Sequence, residues 1–158
     1  MINLEKIKAM VLGIAVADAV GVLVEFKRRE TLKRKPVTDM IGFGSHYQPA
    51  GTWSDDMSMT IATMESIVRL GRIDYVDLMN NFAQWYFEGE FTATGEVFDC
   101  GGTTLSAIIK YARKVPLEEC GSEESYSNGN GALMRIACQL LFIYIMFMGK
   151  ILMIEQCR

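Results

Sequence analysis

The stretch Gly51-Thr52-Trp53-Ser54-Asp55-Asp56-Met57-Ser58-Met59 fixes a helix start more firmly than any other part of this 158-residue chain. A small hydroxyl residue precedes two adjacent carboxylates. An apolar helical pattern follows at once, with Met57, Ile61, Met64 and Val68 in register and Gly71 stopping the run. Ser54 reads as the N-cap, its side-chain oxygen serving a free N–H of the first turn. Asp55 and Asp56 then complement the positive end of the helix dipole, worth a few tenths to about 1 kcal/mol each. The same three residues also fit a hard-cation site, because their oxygens project from one helix start and Mg²⁺ or Mn²⁺ prefers oxygen ligands.

The rest of the chain reads as further helices. Asn3 caps a first helix with Glu5 in its first turn, and the run from Ile7 to Val24 is apolar and rich in Ala and Gly. Such a helix suits close approach to neighbours and a buried position. Asp18 is the one charge inside it, so it needs partners; the reading preferred is a hydrogen-bonded residue that anchors a loop, with a place at a polar site as the alternative. Lys6 and Lys8 before Met10–Ala17 imitate a secretion signal, but Asp18 and Gly21 fit a globular helix better. Lys27 to Lys35 holds six basic residues, a solvated face or a dock for an acidic partner. A loop from Pro36 to Thr52 contains His46, the only histidine, read as a loop hydrogen-bonder rather than a catalyst. Asp74 caps a helix carrying Leu78, Phe82, Trp85 and Tyr86, whose spacing makes them core. Leu105, Ile108, Ile109 and Ala112 mark another helix, stopped before Pro116. Two Asn-Gly pairs, Asn128-Gly129 and Asn130-Gly131, form either a hairpin turn or a loop leading into a helix N-terminus, where backbone N–H groups bind anions. Long helical signals and the lack of any clean alternating strand predict an all-α domain.

Half of the residues are apolar and the net charge is −3, which fits one globular domain and gives no general attraction to nucleic acid. Cys100, Cys120, Cys138 and Cys157 show neither a C-x-x-C pair nor zinc spacing, so free thiols in a reducing, cytoplasmic setting are expected. A lone His46 excludes a multi-histidine metal centre within one chain. The apolar run Leu140–Met148 is too short to span a bilayer, so no membrane is expected, although a membrane-associated tail is a third and weaker reading.

Three segments together resemble the ADP-ribosylglycohydrolases, the group that includes the dinitrogenase-reductase-activating enzyme. They are Gly13–Gly21 with Glu25 following, Gly51–Met57 with Met59, and Phe98–Thr104 followed by Ser127–Ile136. The resemblance covers roughly residues 4 to 137 and implies an all-α fold with a two-metal centre, Mg²⁺ or Mn²⁺, that removes ADP-ribose from modified side chains or related compounds. It implies Ser54, Asp55 and Asp56 as metal ligands, with Ser54 where the family usually has Thr and Met57 where a second Thr is common. It implies Asp99 near the scissile bond and Glu25 as an acidic residue covering the metal site. Asn128, Gly129, Asn130 and Gly131 correspond to a loop cradling ADP-ribose. The expected partner is an ADP-ribosylated protein or small molecule.

The resemblance also has a gap. The family's second set of ligands, a D-x-D-[TS] segment, has no counterpart in this sequence, and Cys138 stands where a Pro is expected. Residues 1–137 therefore read as a partial family domain, and residues 138–158 as an apolar tail foreign to it, as a truncation or frame shift would produce. Two functions follow from this: an active glycohydrolase with an incomplete two-metal site, or a catalytically inactive remnant that binds ADP-ribose weakly or serves as an interaction module. Exposed apolar surface would favour self-association.

Overall fold

The computed structural model describes residues 3–156. Its elements are α1 (Leu4–Gly21), α2 (Arg29–Arg34), α3 (Asp55–Leu70), α4 (Tyr75–Glu88), α5 (Gly102–Ala112), a 3₁₀ turn (Leu117–Glu119) and α6 (Ala137–Gln156). No strand occurs among the described residues, so the fold is all-α and the Asn-Gly pairs lie in the loop entering α6, not in a hairpin. Helix α3 is the hub: α1, α4 and α6 pack on it, and α5 packs on α4.

The helix ends follow local chemistry. Asn3 Oδ1 accepts from the Glu5 N–H at 2.9 Å, and Asp74 Oδ1 from the Asp77 N–H at 3.1 Å. Gly71 and Gly89 end α3 and α4 in the left-handed conformation that glycine adopts without a Cβ penalty. At α3 the expectation changes. Ser54 occupies the N-cap position, but its side chain caps nothing. Its hydroxyl donates to Asp18 Oδ1 at 2.6 Å instead. The capping acceptor comes from α1: Asp18 Oδ2 takes the N–H groups of Ser54 at 3.0 Å and Met57 at 2.9 Å. A charged acceptor from another helix outcompetes the local hydroxyl because charge-assisted bonds are about twice as strong. Asp18 is thus the hydrogen-bonded anchor read from the sequence.

The core is Met59, Ala62, Leu78, Phe82, Trp85 and Ile108. Fully burying side chains of this size stabilises by about 1.5–3 kcal/mol each. The stripe on α3 is not the expected one. Met57 is buried, Ile61 and Met64 are half-buried, and Val68 is 83% exposed. The face turned inward carries Ser58, Thr60, Thr63 and Ser66 as well as Met59 and Ala62. These hydroxyls are accommodated by bonding back to the helix: Ser58 to the Ser54 carbonyl, Thr60 to Asp56 and Thr63 to Met59, all at 2.7–2.8 Å. Ser66 instead donates to Asp77 Oδ2 at 2.6 Å.

Helix α1 also departs from expectation. Only Asp18 and Ala19 within it are buried, Leu12 is 63% exposed, and a Cβ on Gly13 or Gly21 would meet open space. Among the described helices only α3 covers it extensively, on the face that carries Asp18. The six basic residues of 27–35 are all exposed, a solvated face around the short α2. Among the described residues no helix is long and apolar enough to cross a membrane.

Candidate active site

The start of α3, the turn after α1 and the loop before α5 meet along one wall of a cleft of about 1130 Å³. Asp18, Glu25, Ser54, Asp55, Asp56 and Asp99 line that wall, and Gly129, Asn130, Gly131 and Arg135 line it from the loop entering α6. Residues separated by more than a hundred positions are therefore brought to one cavity. Asn128 is not in the lining; its Nδ2 donates to the Ser125 carbonyl at 2.8 Å and shapes the loop. Gly131 crosses the start of α5 so closely that a Cβ there would press on Thr104 Oγ1 at 2.6 Å.

The acidic wall is electrostatically loaded. Burial first, then the Asp99 and Asp56 carboxylates, push the Asp55 carboxyl up to about 6, opposed by the Gly101 N–H. Burial, followed by Asp18, Glu25 and Asp99, also raises Asp56. Among the described residues no lysine or arginine forms an ion pair with Glu25, Asp55, Asp56 or Asp99. Arg135 lines the same cleft and feels the Asp55 charge without touching it, so the gathered carboxylates keep oxygens free of any direct lysine or arginine partner, a donor set suited to a hard divalent ion. The adjacent Cys100 thiol is pushed to about 11 by burial and by Asp55 and Asp99, so it stays protonated at neutral pH.

Two features were not foreseen. Arg135 is packed over the Phe82 ring at 4.9 Å, with Nη1 3.4 Å from Met59 Sδ. In the sequence it stands inside the Ser127–Ile136 segment of the family resemblance, with no role assigned to it. His46 is a hydrogen-bonder, as read, but its partner is the site carboxylate Glu25: Nε2 and Oε2 are 2.6 Å apart. No local pattern links positions 21 residues apart.

A helical cleft whose lining joins an acidic cluster to a glycine-rich loop is what the geometry defines, and comparison with known proteins gives it a family. The sequence model of the ADP-ribosylglycohydrolase family matches residues 2–149. The chain is 34% identical over 139 residues to ADP-ribosylarginine hydrolase Tri1 of Pseudomonas putida (strain GB-1), covering 88% of this chain and 36% of that protein. It is 30% identical over 129 residues to the ADP-ribosyl-(dinitrogen reductase) glycohydrolase of Rhodospirillum rubrum, covering 78% and 40%. A solved ADP-ribosylglycohydrolase-related protein complex superposes with a TM-score of 0.66 at 34% identity, over 83% of this chain and 40% of that one. The chain belongs to the ADP-ribosylglycohydrolase family. It spans well under half the length of these relatives.

Proposed function

We propose that this chain carries the acidic face of a site that hydrolyses the bond between ADP-ribose and a protein side chain or related ADP-ribosyl compound, with arginine as the first linkage to test. The observation that carries the proposal is the convergence of Asp18, Glu25, Asp55, Asp56 and Asp99 with the Gly129–Gly131 loop in one cleft. The relatives named for hydrolysing ADP-ribosylarginine and ADP-ribosylated dinitrogen reductase support the same chemistry.

The donor set fits Mg²⁺ or Mn²⁺, which Ser54, Asp55 and Asp56 would hold. Such an ion would supply Lewis-acid polarisation and neutralise the acidic wall. The chain's own groups do the remaining work. Cleavage at the ribose anomeric carbon develops oxocarbenium-like positive charge, and the Asp99 carboxylate serves either as the base that takes a proton from the attacking water or as the negative charge that offsets it. Glu25 closes the outer edge, and His46 fixes its orientation. N–H groups of the Gly129–Gly131 loop donate to the diphosphate without adding net charge. Asp18 holds the Ser54–Met57 turn in place.

The exposed apolar faces of α1 and α6, including Leu12, Val16, Leu140 and Phe147, favour a second reading: an ADP-ribose-binding or self-associating module without turnover. The two readings separate when the chain is incubated with ADP-ribosyl-arginine and Mn²⁺ or Mg²⁺ and free ADP-ribose is measured. The enzyme reading expects cation-dependent release that Asp55→Ala and Asp99→Asn abolish. Absence of release from the folded wild-type chain, or release unchanged in Asp55→Ala, overturns it.

A further inference from the structure

Glu25, His46 and Asp99 reach one point from three separate segments: the turn after α1, the 36–52 loop, and the loop before α5. One ligand atom from each lies within 4.8 Å of the others. We propose that this triad is a divalent-cation site of imidazole–carboxylate type, which gives the acidic cleft a preference for manganese-class cations over magnesium. The inference deepens the proposed function and rests on the cleft being a cation site, but it concerns a donor set distinct from Ser54, Asp55 and Asp56.

The donor chemistry sets the preference. Imidazole nitrogen suits transition ions such as Co²⁺ and Zn²⁺ and is accepted more weakly by Mn²⁺, whereas Mg²⁺ takes almost only oxygen and keeps its waters. The Glu25–His46 half of the site leaves little to rearrange, and Asp99 has to draw in from within 4.8 Å. Adjacent ligands on a six-coordinate ion with bonds of roughly 2.1 Å sit about 3 Å apart. The Nε2–Oε2 pair at 2.6 Å therefore opens by only a few tenths of an ångström to admit the ion.

The imidazole is also held for the purpose. Its ring lies against Phe98, with centroids 5.4 Å apart, and against Phe26 at 5.7 Å. The His46 side chain is 12% exposed and that of Glu25 39%, so the ring is walled in and the carboxylate stands at the open side. The loop bearing His46 is tied to the turn bearing Glu25. The Ser45 N–H donates to the Leu23 carbonyl at 3.2 Å, and the Ser45 hydroxyl to the Glu25 carbonyl at 2.5 Å. Gly44 passes the Leu23 backbone so closely that any Cβ would collide with it. Fixed backbone on both sides makes the pairing a preorganised half-chelate rather than two surface side chains meeting by rotation. The third donor, Asp99, faces the same cleft as Asp55 and Asp56, and Glu25 and Asp99 both raise Asp56. A cation at the triad relieves that repulsion as well as its own.

His46 is the only histidine, so its imidazole protons form a single unambiguous set in an NMR spectrum. The test adds Co²⁺ alone to the full chain. The proposal expects that set to show large hyperfine shifts at saturation. It also expects His46→Gln to lose about tenfold or more in Co²⁺ and Mn²⁺ affinity, while Mg²⁺ affinity changes by less than about twofold. An unshifted imidazole at Co²⁺ saturation overturns it, as does unchanged Co²⁺ affinity in His46→Gln. Measuring Mn²⁺ binding by Asp55→Ala in parallel separates the failures. Loss of binding there with an unshifted imidazole sinks the triad and leaves the acidic-cleft reading standing.

Discussion

Removing the Asp18 carboxylate is expected to loosen the start of α3 more than any other single change on that wall. Asp18 accepts three hydrogen bonds from one turn: Ser54 N–H and Met57 N–H at Oδ2, and the Ser54 hydroxyl at Oδ1. Asp18→Ala leaves those donors without acceptors in a buried place. Bonds to a charged acceptor are worth about 1.5 kcal/mol or more each, and relief of repulsion with Asp56 returns on the order of 1 kcal/mol, so the net cost is at least about 3.5 kcal/mol. Asp18→Asn is the informative comparison. Its carbonyl oxygen can take both backbone N–H groups, and its NH₂ can donate to the Ser54 hydroxyl, which accepts as readily as it donates. Only the charge assistance goes, so the expected cost is about 1 kcal/mol or less. Urea denaturation in the presence of a chelator reads both values. If Asp18→Asn is as damaging as Asp18→Ala, or if Asp18→Ala costs under about 1 kcal/mol, the anchoring argument fails.

Two further outcomes follow from the same geometry. Asp55 has a folded-state pKa of about 6 against 3.8, so its contribution to stability is full below about pH 4 and is lost as pH rises through 6. In chelator, wild type should lose roughly 3 kcal/mol more than Asp55→Asn between about pH 3 and pH 7, read by denaturant midpoints; parallel curves would refute the assignment of the strain to Asp55. Thr63→Val should leave stability within about 1 kcal/mol of wild type, because the Thr63 hydroxyl only bonds back to the already helical Met59 carbonyl. A thermal melt showing a much larger loss would mean that the hydroxyl has a role beyond satisfying itself.

The all-α class was legible because helix stops and aromatic spacing act locally: Asp74, Gly71, Gly89 and the Leu78–Phe82–Trp85 face are each decided within a turn or two. The anchoring role of Asp18 was legible too, since a lone charge in an apolar helix requires partners. The core stripe of α3 was not. Ser58, Thr63 and Ser66 are fully buried because bonds to helix carbonyls or to Asp77 remove their polarity, whereas a hydropathy pattern counts them as polar. The exposure of Leu12 and Val16 was not legible either, because an apolar helix carries no signal of which neighbours cover it. At the candidate site, the short motifs pointed to Ser54, Asp55, Asp56, Asp99 and the Gly129–Gly131 loop. The Glu25–His46 pairing and the place of Arg135 depend on how loops close over one another, which no local spacing encodes.

The central claim is that the acidic wall holds a divalent cation, and Mn²⁺ binding followed by electron paramagnetic resonance tests it most directly. Wild type, Asp55→Asn and Asp56→Asn are titrated alongside Glu118→Gln, which alters an exposed carboxylate on the 3₁₀ turn. The account predicts that both aspartate variants lose about tenfold or more in affinity while Glu118→Gln matches wild type. Equal Mn²⁺ affinity in all four proteins would contradict it.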